Sequence, residues 1–574
     1  MFNNTRQAMA WVHTWFGLAL GFVLMVCFFF GALSVFDREI DRWAIPETRF
    51  DPQPMPSYDQ VLAPVFEKLR ASPDDMAATA KRVEGELPHP DALKLDSLFA
   101  YTTHRDPVLR IGGEFGVPNK PINPKDDHQH VHGSATIDPR TGAFLADDKL
   151  KIGSDFFYPL HYSLHIHWKN LGYWIVGLAA LIMLAALISG VVIHRKIFRE
   201  FFTFRPNKNT QRSALDLHNM TGVVALPFHF FFAFTGLVIF AGIYFPVNQT
   251  FLKPLHDQGD QLEAARTGLP HKPAGIPASL ASVDDMVTEA KKRWAKRDMP
   301  GDVGFLFIEH IGDQNSYVSL YRAGSDRVAL VGQAIHFKAS TGEVLLEEPA
   351  PTVVASINEF LTGLHLQHFR HWLLRWLYVI GGLLGCICIA TGFIFYVEKR
   401  KHTHAKAGSQ GARTVDALAT ATVTGMLLAT AFMLIVNRLL PASLEGKGDW
   451  EEASFWALWL LTLLHAMWRN KPVNHARLSP AWREQCYGFA LLAISAVLLN
   501  WVTTGDHLGK TAFTYWPVAG VDLSLLVSAG IAVLAARKLR QREREQERQA
   551  NTIDCAESTN AHISTINTRE PKHV

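Results

Sequence analysis

Eight stretches of the chain are apolar and almost uncharged for about the length of a membrane crossing, and the remaining residues are arranged between them. They lie at about 11–36, 171–193, 216–240, 372–397, 415–437, 453–468, 485–502 and 517–536, and roughly twenty apolar residues suffice for a spanning helix. The first has too long an apolar run for a secretion signal and no small-residue cleavage pattern after it, so it reads as an uncleaved anchor. Residues 41–160 and 241–364 change character, with short alternating runs broken by Pro and Gly, the pattern of small α/β modules. The modules close on similar phrases, HGSATIDPRTGAFL at 132–145 and AIHFKASTGEVLLE at 334–347. Strand, tight turn and strand account for both, with Gly142 and Gly342 supplying the positive φ of the turn.

The expected fold is a polytopic α-helical membrane protein with about eight transmembrane helices and two small α/β modules. Its segments are a first helix at 1–40, a module at 41–160, two helices at 161–240, a second module at 241–364 and a fourth helix at 365–400. A four-helix membrane extension at 401–540 and a disordered tail at 541–574 complete the chain. Basic residues give the orientation. Arg195, Lys196, Arg199, Arg205, Lys208 and Arg212 fall in one loop, Lys399, Arg400, Lys401, Lys406 and Arg413 in another, and the tail from Arg537 is basic. With these on the cytoplasmic side and an even number of helices, both termini are cytoplasmic and both modules lie outside, in the periplasm of a Gram-negative cell.

The helices flanking the modules repeat. His13 is followed by Gly17 and Gly31, and His218 by Gly222 and Gly236, with identical spacings of four and eighteen residues. His165 precedes Gly190 by 25 residues, and His365 precedes Gly392 by 27. Residues 9–194 and 214–398 thus read as tandem copies in the same orientation, related by a pseudo-two-fold axis along the membrane normal. That axis pairs His13 with His218 near the cytoplasmic side and His165 with His365 near the outer side. Facing histidines with small residues nearby suit a haem iron with two axial imidazoles. Other histidines stand as alternatives. His229 lies eleven residues after His218, about 16 Å along a straight helix, and His161, His368 and His194 flank the same helix ends. His365, His368 and His371 fall at three-residue intervals, on one stripe if helical.

Composition narrows the chemistry. Over 574 residues, 48% hydrophobic, the mean hydropathy is only +0.06, so lipid-embedded and wet parts coexist. A net charge of +3 gives no reason to expect nucleic acid. The five cysteines include no C-x-x-C-H, which excludes covalent haem attachment and makes any haem b-type. No G-x-G-x-x-G follows a strand, and no cytoplasmic segment is long enough for a flavin or nicotinamide domain. Electrons for a redox reaction would come from a quinol or a soluble cytoplasmic reductase.

The stretches LHYSLHIHWKNLGYWIVG with SGVVIH, LDLHNMTGVVALPFHFFFAFTGLV, and GLHLQHFRHWLLRWLYVIGGLLG with ATGF resemble the PepSY-associated transmembrane proteins, iron-regulated membrane proteins of Gram-negative bacteria. The resemblance spans about residues 5–400, and the phrases IDPRTG and ASTGEV look like the end of the PepSY module. It implies an inner-membrane reductase that passes electrons through two b haems to periplasmic ferric siderophore and releases Fe(II). The histidines matching the family's four-helix motif are His13, His165, His218 and His365. The fourth motif departs from the usual pattern at Gln367-His368, leaving the outer ligand as His365 or His368. Phe156, Phe157, Tyr158 and Trp168 are expected at the floor of a docking cup. Two other classes remain, a membrane-tethered peptide- or peptidase-binding regulator without redox activity, and a transporter, although the spans offer few acidic or basic residues for a transport path.

Overall fold

A computed structural model of the chain describes residues 4–52, 57–82, 89–101, 106–117, 130–145, 151–194, 203–206, 208–244, 267–270, 272–330, 333–441, 443–470 and 479–567. Of the basic loop, Arg195, Lys196 and Arg199 lie outside the described residues. The helices that matter for the site are, in order, α1 (Thr5–Ser34), α2 (Asp37–Ala44), α3 (Tyr58–Lys68), α4 (Leu171–Ile193), α5 (Thr210–Val224), α6 (Leu226–Ile239), α7 (Val283–Lys296), α8 (Val353–Leu366) and α9 (Trp372–Lys406). Four long helical stretches follow, Gly411–Leu439 with a π-turn at Ala421–Gly425, Lys447–Arg469, Pro480–Thr504 and Trp516–Asn567.

Among the described residues six helices are long and apolar enough to cross a membrane, seven if the bent pair Thr210–Val224 and Leu226–Ile239 is one span. The eighth expected span, 453–468, lies inside the helix Lys447–Arg469, whose charged ends, Lys447, Asp449, Glu451, Glu452 and Arg469, leave too short an apolar run. The third span is broken at Ala225, just before Pro227, so the straight-helix spacing of His218 and His229 does not apply. The final helix also runs on to Asn567, through much of the stretch expected to be disordered.

The chain forms two compact units, one of Met1–Phe29, Ala186–Leu226 and Leu383–Val574, the other of Phe30–Ala185 and Pro227–Gly382. The second unit holds both modules, joined as one eight-stranded sheet in the order β4-β3-β2-β1-β5-β6-β7-β8. β1 (Lys94–Tyr101), β2 (Leu109–Gly116), β3 (His130–Ile137) and β4 (Phe144–Leu145) come from the first module. β5 (Val303–Glu309), β6 (Tyr317–Arg322), β7 (Ala334–Lys338) and β8 (Val344–Glu347) come from the second. The halves meet where β1 pairs antiparallel with β5, Phe99 opposite Phe307. Period-two alternation puts Leu98, Ala100, Leu306, Ile308, Val318 and Leu320 into one core with Leu62 and Val65 of α3 and Met286 and Trp294 of α7.

The two helix starts in this unit brace each other. Ser57 Oγ and the Tyr58 amide donate to the Asp284 carboxylate at 2.5 and 2.7 Å, and Ser282 Oγ and the Val283 amide donate to Asp59, both at 2.7 Å. Each aspartate thus satisfies donors at the first turn of the opposite helix, where a carboxylate is favoured. The paired hairpins have the expected turns: Gly142 has φ 69° and Gly342 φ 72°, and their amides donate to Asp138 and Lys338 carbonyls at 2.8 and 2.9 Å. Either glycine changed to alanine is expected to lower stability by about 1 kcal/mol from the left-handed backbone alone, read as thermal unfolding of the full chain in detergent.

In the first unit, Asp216 of α5, one of the few acids in the apolar spans, is 4% exposed on its side chain and paired with Arg205 at 2.8 Å and Arg212 at 3.1 Å. In the second, buried Arg375 in the first turn of α9 donates to the Val35 carbonyl at 2.6 Å and Glu39 at 2.9 Å and lies over the Phe36 ring, fixing the corner between α1 and α2.

Candidate two-histidine sites

Each unit contains a pair of imidazoles. In the first, the His13 and His218 rings have centres 6.0 Å apart with planes at 82°. His13 Nδ1 is 2.9 Å from the Ala186 carbonyl, and His218 Nδ1 is 2.7 Å from the Cys388 carbonyl. A carbonyl only accepts, so both rings carry their proton on Nδ1 and keep the Nε2 lone pair. Behind each ring is a glycine: a Cβ on Gly190 would be 3.4 Å from His13, and one on Gly392 3.3 Å from His218. Ala186 precedes Gly190 by four residues, as Cys388 precedes Gly392, so the two halves of the site are built alike.

In the second unit the pair is His161 and His365, ring centres 6.0 Å apart and planes at 26°. The Thr235 hydroxyl donates to the Phe231 carbonyl, so at 2.8 Å it accepts from His365 Nδ1, again leaving Nε2 as the lone-pair nitrogen. Gly31 and Gly236 back these rings, with a Cβ reaching 2.8 Å from His161 and 3.2 Å from His365. The glycines at 31 and 236 therefore make room for imidazoles. Two rings bonding one metal atom at about 2 Å have centres roughly 6 Å apart, so each pair has the spacing to hold one atom between its rings.

The remaining candidates sit elsewhere. The His165 ring stacks on Phe156 at 4.7 Å, and its Nε2 donates to the Phe156 carbonyl at 2.9 Å. Burial holds its pKa below the usual imidazole range, partly offset by that bond. His165 and Leu164 have φ near 54° and 53°, so the chain turns sharply between His161 and α4. His368 is exposed, because α8 ends at Leu366, Gln367 turns left-handed at φ 58° and α9 begins only at Trp372. His365, His368 and His371 thus share no helical stripe. His229 is buried in α6, beyond the break after α5. His194, just past α4, is half-buried, and its Nδ1 has no hydrogen-bond partner. Phe156, against His165, and Phe157, against Phe30 and Phe156, are at most 1% exposed and so are buried below any docking floor, whereas Trp168 is 69% exposed.

In the sequence His161 stands only as an alternative, yet the chain carries a signal for it. His161 is followed by His167-Trp168 and His365 by His371-Trp372, at the same spacings of six and seven. The glycine spacing does not separate the two, since His165 lies 25 and His161 29 residues before Gly190, each two away from the 27 between His365 and Gly392.

Comparison with known proteins bears on the repeat region. Residues 10–399 match the model of the PepSY-associated TM region. The chain is also 25% identical over 398 residues to an uncharacterized protein of Pseudomonas aeruginosa, covering 66% of this chain and 93% of that protein. The matched residues hold all four histidines of the two pairs and both halves of the sheet, and on that match the chain belongs to the PepSY-associated transmembrane family.

Proposed function

We propose that the chain is a b-haem reductase of the bacterial inner membrane that takes electrons on the cytoplasmic side and delivers them to ferric iron held by a siderophore in the periplasm. The observation that carries this reading is the duplicated two-histidine site, with ring centres 6.0 Å apart in both copies. Among the described residues no group of three or more His, Cys, Asp or Glu could hold a metal ion, so a bare ion would find only two protein ligands at either pair. Protein sites for such ions normally use three or four. A porphyrin brings four equatorial nitrogens and needs only two axial ones, and the residues present fit it. His13 and His218 would hold one haem and His161 and His365 the other. When bound, haem with two axial imidazoles supplies a one-electron iron couple without an open coordination position.

The protein's own part is positioning. The Ala186 and Cys388 carbonyls and the Thr235 hydroxyl fix three rings in the ligating tautomer, which raises ligand basicity and stops the rings from turning. The glycines behind the rings set how far each imidazole can retreat. Ferric siderophore iron is bound by hard oxygen donors, and reduction to Fe(II) weakens that hold. The external sheet is the docking surface for it. A quinol in the bilayer or a cytoplasmic reductase supplies the electrons. Both termini face the cytoplasm, which requires the helix Lys447–Arg469 to cross as well.

Haem content tests the proposal. The chain purified in mild detergent from haem-replete cells is expected to give about two b haems by pyridine haemochrome, with low-spin bands in the reduced-minus-oxidised spectrum. A folded but haem-free preparation would overturn the reductase and favour the peptide-binding regulator.

A further inference from the structure

Beneath α2, in the second unit, is a cavity of about 20 Å³ whose charged lining is Arg38, Arg42, Arg110, Lys151, Asp41 and Asp106. Four cations thus face two carboxylates, and both carboxylates are already engaged. Asp41 accepts from the Gly153 and Ser154 amides at 2.8 and 3.1 Å and from Arg110 at 3.3 Å. Asp106 accepts from Arg110 at 2.8 Å and faces Arg38 at 3.6 Å. Asp37 and Asp155 approach Arg38 and Arg110 at 3.7 and 4.0 Å, but neither lines the cavity.

Arg42 is the residue this arrangement leaves unexplained. It is 5% exposed, and its Nε and Nη2 are buried without a hydrogen-bond partner. A buried donor left unsatisfied destabilises the fold, more so when it is charged, so the fold has reason to place an acceptor beside it. A cavity needs roughly 10–15 Å³ to admit one water; this one admits a water or a single ion and is too small for sulfate, phosphate or a carboxylic acid. The surplus of positive charge in its lining separates the two, because an anion gains from every guanidinium around it and a water does not.

We propose that this cavity binds one monatomic anion of the chloride type, with the Arg42 guanidinium as its main donor and Lys151 completing the charge. The anion would tie α2 to β2 and to the start of Ile152–Phe157, the stretch that leads into His161. It stands apart from the histidine pairs and does not depend on their role.

The test uses the full chain in detergent, equilibrated in sodium gluconate and titrated with sodium chloride at constant ionic strength. The thermal midpoint is expected to rise saturably by several degrees with chloride and with bromide and to stay flat with sulfate. Crystals soaked in bromide should show one anomalous peak beside Arg42. Arg42→Met should remove the chloride dependence and the peak. Lys151→Gln, a milder change at a partly exposed position, should keep the fold and shift half-saturation to higher chloride. Superimposable chloride and gluconate curves with no bromide peak would mean that only water fills the cavity, and so would Arg42→Met retaining the full chloride response.

Discussion

His161→Ala and His365→Ala are each expected to lower the haem content of the purified chain from about two per chain to about one, while His165→Ala keeps both. The contrast rests on tautomer and position. His365 has Nδ1 engaged by Thr235 and its ring centre 6.0 Å from that of His161, with Gly31 and Gly236 behind the two rings. His165 has its Nε2 bonded to the Phe156 carbonyl and its ring stacked on Phe156. Removing that imidazole costs a hydrogen bond of about 1 kcal/mol and leaves the left-handed backbone at residue 165 no more strained than before, because alanine carries the same Cβ, so the variant should fold. Haemochrome content, normalised to protein, reads the result directly. If His165→Ala loses a haem and His161→Ala does not, the outer pair is His165 with His365. His13→Ala and His218→Ala serve as controls that should each remove one haem from the other pair.

The inner pair was legible because His13 and His218 lie in helices whose glycine spacings are identical, and repetition at fixed distance survives any uncertainty about helix ends. The outer pair was harder to read because the histidines concerned lie outside the spanning helices. His161 lies one residue before the end of a short helix, Tyr158–Tyr162, and His365 one residue before the end of α8. The connections that follow differ in length, 163–170 on one side, with Leu164, His165, Lys169 and Asn170 left-handed, and 367–371 on the other, with Gln367 left-handed. Counting 27 residues back from Gly190 reaches Ser163, midway between His161 and His165, so the glycines do not choose between them. The hairpins were legible because a tight turn names its glycine, and Gly142 and Gly342 do adopt positive φ. The fusion of the modules into one sheet was not, since β1 and β5 are about two hundred residues apart and nothing local marks their edges as partners. Buried polar groups of the C-terminal helices were equally silent: Glu451 is 1% exposed beside Lys447 and Asn437, and Asp522 is fully buried beside Asn500, contacts that exist only once the helices pack.

The brace between α3 and α7 yields the largest expected effect on stability. Ser57-Tyr58-Asp59 and Ser282-Val283-Asp284 are the same three-residue pattern, and each supplies the carboxylate that caps the other. Hydrogen bonds to a charged group contribute about 1.5–3 kcal/mol each, and each aspartate accepts two, one from a backbone amide that no helix can satisfy internally. Partial exposure lets water replace some of that, so Asp59→Ala or Asp284→Ala is expected to cost about 3 kcal/mol. The bonds join two helices across one core, so the loss should be shared: either variant should speed amide exchange in both Tyr58–Lys68 and Val283–Lys296. Because the first substitution already loosens the interface that the second depends on, the double variant should cost less than the sum. Exchange that rises in one helix only, or strict additivity, would show two independent caps and no brace between the modules. Haem content should stay at about two per chain in all three variants, separating this structural role from that of the histidines.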